Sequence, residues 1–194
     1  MTTLPTVFIT GASSGIGATY AERFARRGHD LVLVARNKSR LDALAMRLRE
    51  QHQIAVEVLQ ADLTNSAELP ALETRLRHDA RIGILINNAG MLQAGHFLEQ
   101  SPEAIESQIA LNITALTRLA AAIAPRLAQS GTGSIVNIGS VVGFSPEFGI
   151  SLYGATKAYV LSLTESLSEE LKGTGVTITA LCPGVTATNM LAQA

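Results

Sequence analysis

The sequence has no tryptophan, few aromatics of any kind and no basic run, so it lacks the footprint of a nucleic-acid binder. Its 15 basic and 16 acidic residues nearly cancel, leaving a formal charge of -1 and no polyanion-seeking surface. A single cysteine, Cys182, excludes an internal disulfide, and the opening MTTLPTVFIT lacks the charged and apolar regions of a secretory signal. A reducing, cytoplasmic setting is the expectation. No uninterrupted apolar run approaches the roughly 18 residues that suggest a membrane span. Even LVLVA soon meets Arg36, so a soluble chain is expected. The four histidines, His29, His52, His78 and His96, are scattered without metal-ligand spacing, and no metal is expected. There is no repeat, low-complexity tract or linker, hence no domain boundary.

What is present is a chain of 194 residues, 47% hydrophobic, enough to bury the core of one domain. Short β-branched runs alternate with longer segments of helical period. Strands are predicted at Thr6–Thr10, Leu31–Ala35, Ala55–Gln60, Gly83–Asn87, Ser134–Gly139 and Val176–Leu181. Helices are predicted at Gly15–Arg27, Ser39–His52, Ser66–His78, Pro102–Gln129 with a bend at Pro125, and Ser151–Lys172. Strands such as LVLVA and SIVNIG are apolar on consecutive positions, as required where helices cover both faces of a parallel sheet. The expected fold is therefore α/β, a doubly wound Rossmann-type, mostly parallel sheet with helices on both faces.

In such a sheet, ligands bind beyond the carboxyl ends of the strands, where the first strand turns into the first helix. That turn is FITGASSGIGATY. Glycines at 11, 15 and 17 permit a tight turn, close approach of a pyrophosphate and tight packing of helix on strand, while the helix N-terminus offers free N–H groups and a positive dipole end. A dinucleotide is the ligand this turn suits, although a lone glycine motif also fits a ligand-free turn.

Further motifs follow in order: TGASSGIG (Thr10–Gly17), NNAG (Asn87–Gly90), Asn112 in LNIT, Ser140 after a strand, YGATK (Tyr153–Lys157) and PGVTAT (Pro183–Thr188). Together they resemble the short-chain dehydrogenase/reductase family, classical type, over nearly the whole chain. The resemblance implies an oxidoreductase working on a carbonyl or alcohol with a nicotinamide cofactor. It implies a catalytic set of Asn112, Ser140, Tyr153 and Lys157.

Tyr153 and Lys157 are four apart on a predicted helix, which stacks them on one face. Bringing a phenol from pKa ~10 to ~7 takes about 4 kcal/mol. A cation ~5 Å away at an effective dielectric of ~20 provides roughly 3 kcal/mol. The expectation is a phenol tuned by Lys157 that passes a proton to or from the substrate oxygen. Without the surrounding motifs the same spacing fits an ordinary helix pair. Ser140, at a strand's carboxyl end, is placed to donate to that oxygen as charge grows there. A nucleophilic serine would need a G-x-S-x-G elbow and a histidine base, whereas the chain reads NIGSVVG. By resemblance, Lys157 also holds the nicotinamide ribose together with Tyr153, and the helix backbone at Asn112 holds a proton-relaying water.

The cofactor contacts implied are Gly11, Ser13, Ser14, Gly15, Ile16 and Gly17 in the glycine loop. Asp62 and Leu63 of ADL lie at the adenine, and Asn88, Ala89 and Gly90 at the adenosine ribose. Pro183, Gly184, Thr186 and Thr188 pass beside the nicotinamide and phosphates. At the end of the second strand a carboxylate selects NAD by bonding the ribose 2'-hydroxyl. The family's usual acidic position falls here on Ala35, and Arg36 follows with a guanidinium suited to a 2'-phosphate. NADP(H) is favoured and NAD(H) remains possible, because Ser14 occupies a place where many NADP-dependent relatives carry a second basic residue. Cys182 is expected to be a buried, inert thiol.

Residues 91–99 and 141–150 are expected to border the substrate, with Met91, Phe144 and Phe148 favouring an apolar carbonyl compound. Relatives often pair through the helices carrying Asn112 and Tyr153, so a homodimer or homotetramer is expected. They also commonly continue past PGVTAT through a lid, another helix and a seventh strand. The expectation is one NAD(P)-binding domain over 1–194 without those elements, part of a longer natural chain. Two other readings stay open: an inactive dinucleotide-binding regulator or scaffold, and an epimerase or dehydratase on the same fold.

Overall fold

In the computed structural model, residues 4–93, 96–145 and 150–184 are described. Among the described residues, six largely apolar runs form β1 (Thr6–Thr10), β2 (Leu31–Ala35), β3 (Val56–Gln60), β4 (Ile82–Asn87), β5 (Gly133–Ile138) and β6 (Val176–Leu181). They pair in parallel in the order β3-β2-β1-β4-β5-β6. The helices are α1 (Gly15–Arg26), α2 (Lys38–His52), α3 (Leu69–His78), α4 (Pro102–Ile109), α5 (Leu116–Ser130) and α6 (Ser151–Glu170). This is the doubly wound Rossmann-type fold expected from the alternation, in a single domain.

The consecutive apolar positions are consumed by the two faces of the sheet, because successive side chains of a strand point opposite ways. Val7, Ile9, Leu31 and Leu33 pack with Ala21, Leu41, Leu44 and Leu48 of α1 and α2. Phe8, Val32 and Leu85 pack on the other face with Leu72 and Leu76 of α3 and Leu119 and Ile123 of α5. All five residues of β1 and of β2 are buried. Strand order reverses at β1, which lies between β2 and β4, so the crevice of the switch point opens where β1 and β4 end.

Boundaries depart from expectation where side chains intervene. α2 starts one residue early because Asn37 caps it, its side-chain Oδ1 accepting from Arg40 N at 3.0 Å. α3 starts at Leu69 rather than Ser66, since the preceding residues are held in a turn. There the Glu68 carboxylate accepts from Asp62 N at 2.8 Å and from Asn65 Nδ2 at 2.8 Å. The predicted fourth helix is helical throughout, but it changes winding at Ala110–Ala115, a π turn between α4 and α5. Pro125, the expected bend, lies inside α5. π turns form where a residue is inserted into the helical ladder, and nothing in hydrophobic period signals one.

The rod Pro102–Ser130 is long and apolar enough to cross a membrane by length and composition, although polar and charged residues break it into short apolar runs. Half of its most apolar window is buried inside the fold. Its Leu119, Ile123 and Leu127 belong to the core against the sheet, and Leu116 is buried as well.

At the far end of the molecule, Asp79 after α3 gathers Arg81 Nη2 at 2.7 Å and Arg75 Nε at 2.9 Å. The Arg81 side chain holds the carboxyl down, from 3.8 to about 2, against the opposing effect of burial. A depressed carboxyl contributes stability that is present above its ordinary value and lost as pH falls through the folded one. We therefore expect Asp79→Asn to remove about 1–2 kcal/mol near neutrality, allowing for solvent around Arg81. The difference from the parent should shrink between about pH 4 and pH 2 in denaturant titrations.

Candidate active site

β1 ends in a turn that needs glycine twice. Gly11 and Gly15 have φ of 64° and 55°, in the left-handed region that side chains disfavour. Gly17 is excluded from growing for another reason: a Cβ there would lie 2.5 Å from Asn88 Nδ2 and would also strike the Gly11 carbonyl. Asn88 is the bridge at this crossing. Its Nδ2 donates to the carbonyls of Thr10 at 3.0 Å and Gly11 at 3.1 Å, and its backbone N–H donates to Thr10 Oγ1 at 3.0 Å. The same Thr10 hydroxyl accepts from Ala89 N at 3.0 Å. Ser14 starts α1 without a side-chain capping bond, and no acidic residue stands in the first turn. Ser13, Ser14, Gly15 and Ile16 thus surround a helix N-terminus whose donors suit an anion.

Arg36 follows β2 and is exposed, with Asp62 electrostatically coupled to it after β3. Burial pushes the Asp62 carboxyl up, but the Thr64 hydroxyl and amide and the Arg36 charge together bring it below the ordinary value. Leu63 is buried in the core. Arg36 and Asp62 therefore flank one end of the crevice, and the glycine turn its centre.

The other end carries the polar cluster. Ser140 leaves β5 and opens a short 3-10 turn, Val141–Gly143, whose first N–H bond it accepts from Val142 at 3.4 Å. That turn lies against α6: a Cβ on Gly143 would come within 2.9 Å of the Lys157 carbonyl. The Ser140 side chain is hydrogen-bonded to Tyr153. Lys157 is buried, donates from Nζ to the Ile138 carbonyl at 2.7 Å, and sits 5.5 Å from the centroid of the Tyr153 ring. A Cβ on Gly90 would lie 3.4 Å from Asn112 Oδ1 and 3.5 Å from Lys157 Nζ, so Gly90 marks where the π turn and α6 converge. Asn112, Ser140, Tyr153 and Lys157 are thus brought together from three segments. Pro183 joins them, its carbonyl accepting from Val141 N at 3.1 Å. Gly184 follows it, while Thr186, Thr188 and Phe148 lie outside the described residues.

The electrostatics run against the simple expectation of a phenol acidified by lysine. Burial raises Tyr153 above its ordinary 10.0, and the opposing Ser140 bond does not offset it. Burial lowers Lys157 from 10.5 to about 8, opposed by the Cys182 thiol. The physical reason is that both groups are desolvated, which favours their neutral forms. Cys182 itself is partly exposed rather than buried. Sequence reasoning also missed Thr156. Its hydroxyl accepts from Asn112 Nδ2 at 3.1 Å and donates to the Tyr153 carbonyl at 2.8 Å. Its place beside Lys157 in YGATK was the available signal. Among the described residues no His, Cys, Asp and Glu cluster could hold a metal.

Residues 5–194 match the family described as short chain dehydrogenase. The chain belongs to that family, a class of oxidoreductases built on this fold. It is 68% identical to a short-chain dehydrogenase from Sphingobium yanoikuyae, solved in complex with NADPH, with a TM-score of 0.97 over 98% of this chain and 74% of that one. It is 61% identical to the bulky-bulky ketone specific alcohol dehydrogenase from Comamonas testosteroni, with a TM-score of 0.95 over 96% of this chain and 74% of that one. A sulfoacetaldehyde reductase of Chromohalobacter salexigens is 39% identical, over 94% of this chain and 72% of its own.

Because the Gly17 site has no room on the Asn88 side, Gly17→Ala should force β1 and β4 apart at their ends. We expect a loss of about 1–3 kcal/mol in denaturant unfolding, the cost of overpacking a closed site. The same change at Gly131, where a Cβ meets nothing within 4 Å but φ is 73°, should act only through backbone strain.

Proposed function

We propose that this chain is an NADP(H)-dependent oxidoreductase that interconverts a carbonyl and an alcohol, with Tyr153 as the general acid and base. The observation carrying this reading is the convergence of Ser140, Tyr153 and Lys157 at one end of a crevice whose centre is an uncapped helix N-terminus. The residues present fit a dinucleotide: positive-φ glycines, a closed Gly17 position and free N–H donors at α1 accept a pyrophosphate. Arg36 supports a 2'-phosphate, and so does the NADPH held by the Sphingobium relative. A bound nicotinamide supplies or accepts the hydride at the substrate carbon.

The protein's own residues account for the proton. A phenol kept protonated by burial is a donor at neutral pH, the state required at the start of reduction. The Ser140 hydroxyl, bonded to Tyr153 rather than to a histidine, is placed to steady charge on the same substrate oxygen. Once the phenol has given up its proton, the Lys157 ammonium beside the ring stabilises the phenolate. Because burial lowers its pKa to about 8, Lys157 can pass a proton onward at little cost. Asn112 contributes through its backbone in the π turn, its side chain being committed to Met91 and Thr156. The exposed Phe144 and Val141 beside Ser140 support an apolar substrate, in keeping with the ketone specificity named for the Comamonas relative.

Tyr153→Phe should lower kcat by roughly 10²–10⁴-fold in NADPH oxidation with aryl ketones, the range for a lost general acid. NADPH affinity should stay nearly unchanged, and retained turnover would remove the acid–base role from Tyr153. Binding of NADPH by the parent with no turnover of any ketone or alcohol would point instead to a dinucleotide-binding regulator. Ala35→Asp with Arg36→Ala should shift the kcat/KM ratio toward NADH by removing the cation and placing a carboxylate at the ribose. An unchanged ratio would mean that the 2'-phosphate is read elsewhere.

A further inference from the structure

The helix that carries Tyr153 and Lys157 is anchored in an unusual way. The buried residues of α6 are Thr156, Lys157, Val160 and Thr164, so its inner face has two hydroxyls and an ammonium to one fully buried aliphatic side chain. Apolar burial is non-directional and leaves a helix free to slide by fractions of an ångström, whereas hydrogen bonds are directional. The position of α6 along its axis is therefore set by what those hydroxyls bond.

Thr156 is the one that reaches the reacting groups. Met91 N donates to Asn112 Oδ1 at 2.9 Å, and Asn112 Nδ2 donates to Met91 O at 2.9 Å and to Thr156 Oγ1 at 3.1 Å. Thr156 in turn donates to the Tyr153 carbonyl at 2.8 Å. Both hydrogens of the Asn112 amide and the one hydrogen of the Thr156 hydroxyl are used. The chain of bonds joins the segment after β4, the π turn and the backbone of Tyr153 itself. Asn112 and Thr156 are each 1% exposed, so bulk water does not reach them to replace a missing partner.

Resting on the role proposed above for Tyr153, we propose that Thr156 is a positioning residue for the reaction: its hydroxyl fixes Tyr153 against the Asn112 turn. Without it, one buried Asn112 N–H has no acceptor, and the turn or the helix must shift to find one.

Thr164 provides the matched control. It too is buried, accepts from a buried asparagine amide, Asn137 Nδ2 at 3.0 Å, and donates to a helix carbonyl, Val160 O at 2.6 Å. It stands two turns further along α6, away from Tyr153. The test compares Thr156→Val, Thr156→Ala, Thr156→Ser and Thr164→Val in NADPH oxidation with propiophenone and related aryl ketones, alongside thermal unfolding. We expect Thr156→Val and Thr164→Val to lower Tm alike. Thr156→Val alone should lower kcat, by roughly 10- to 100-fold for a misplaced acid, with KM for NADPH within about twofold. Thr156→Ser should recover most of kcat, and Thr156→Ala gives the same reading if the valine variant folds poorly. Parent-like kcat in both Thr156→Val and Thr156→Ala, an equal fall in Thr164→Val, or no rescue by serine would overturn the proposal while leaving the proposed function standing. A parent inactive on every ketone would overturn the proposed function itself, and this inference with it.

Discussion

The site depends on how the ends of β1 and β4 are joined. Two parallel strands whose crossovers leave in opposite directions part at their carboxyl ends, and their last backbone groups lose ladder partners there. Asn88 closes that gap with its amide on the Thr10 and Gly11 carbonyls, and Thr10 replies with a hydroxyl that takes two N–H groups. Gly11 and Gly17 lack side chains because this bridge occupies their space. Two residues on, Gly90 faces Asn112 and Lys157, so one junction positions both the glycine turn and the proton-handling cluster.

Burial moves the pKa values of two neighbouring groups in opposite senses. Removing Tyr153 and Lys157 from water favours an undissociated phenol and weakens the ammonium's hold on its proton. The unperturbed order, with the phenol at 10.0 just below the ammonium at 10.5, is thereby inverted: Tyr153 moves up and Lys157 down to about 8. Tyr153 therefore starts as a donor, and the benefit of the cation is felt after the proton has left. That separates ground-state protonation from stabilisation of the product anion, two effects that a Coulomb sum over one charge pair merges.

Much of the fold could be read directly. Leu31–Ala35 and Thr6–Thr10 are legible to the residue because five consecutive apolar or β-branched positions bounded by turn signals are the length and composition of a buried strand. The start of α3 departs from the helical period because the Asp62–Asn65–Glu68 hydrogen bonds compete with the helix locally. The π turn at Ala110–Ala115 was invisible because it changes hydrogen bonding without changing the apolar period enough to notice. Pro125, whose missing N–H motivates the bend expected there, lies inside α5, and the change of winding comes earlier, at Ala110–Ala115, where Asn112 meets Met91.

What the sequence determined by itself is whatever follows from local backbone demands and spacing. These are the α/β alternation, the glycines a tight turn requires, and the placing of Tyr153 and Lys157 on one helical face. Tertiary structure alone decided the rest. The Asn88 bridge spans 77 and 78 residues of chain, and the Asn112–Thr156 bond spans 44. The directions in which Tyr153 and Lys157 titrate depend on burial that no neighbour in sequence reveals. Hydrogen bonds and desolvation act over a few ångströms of space, and only the folded sheet brings those residues within that range.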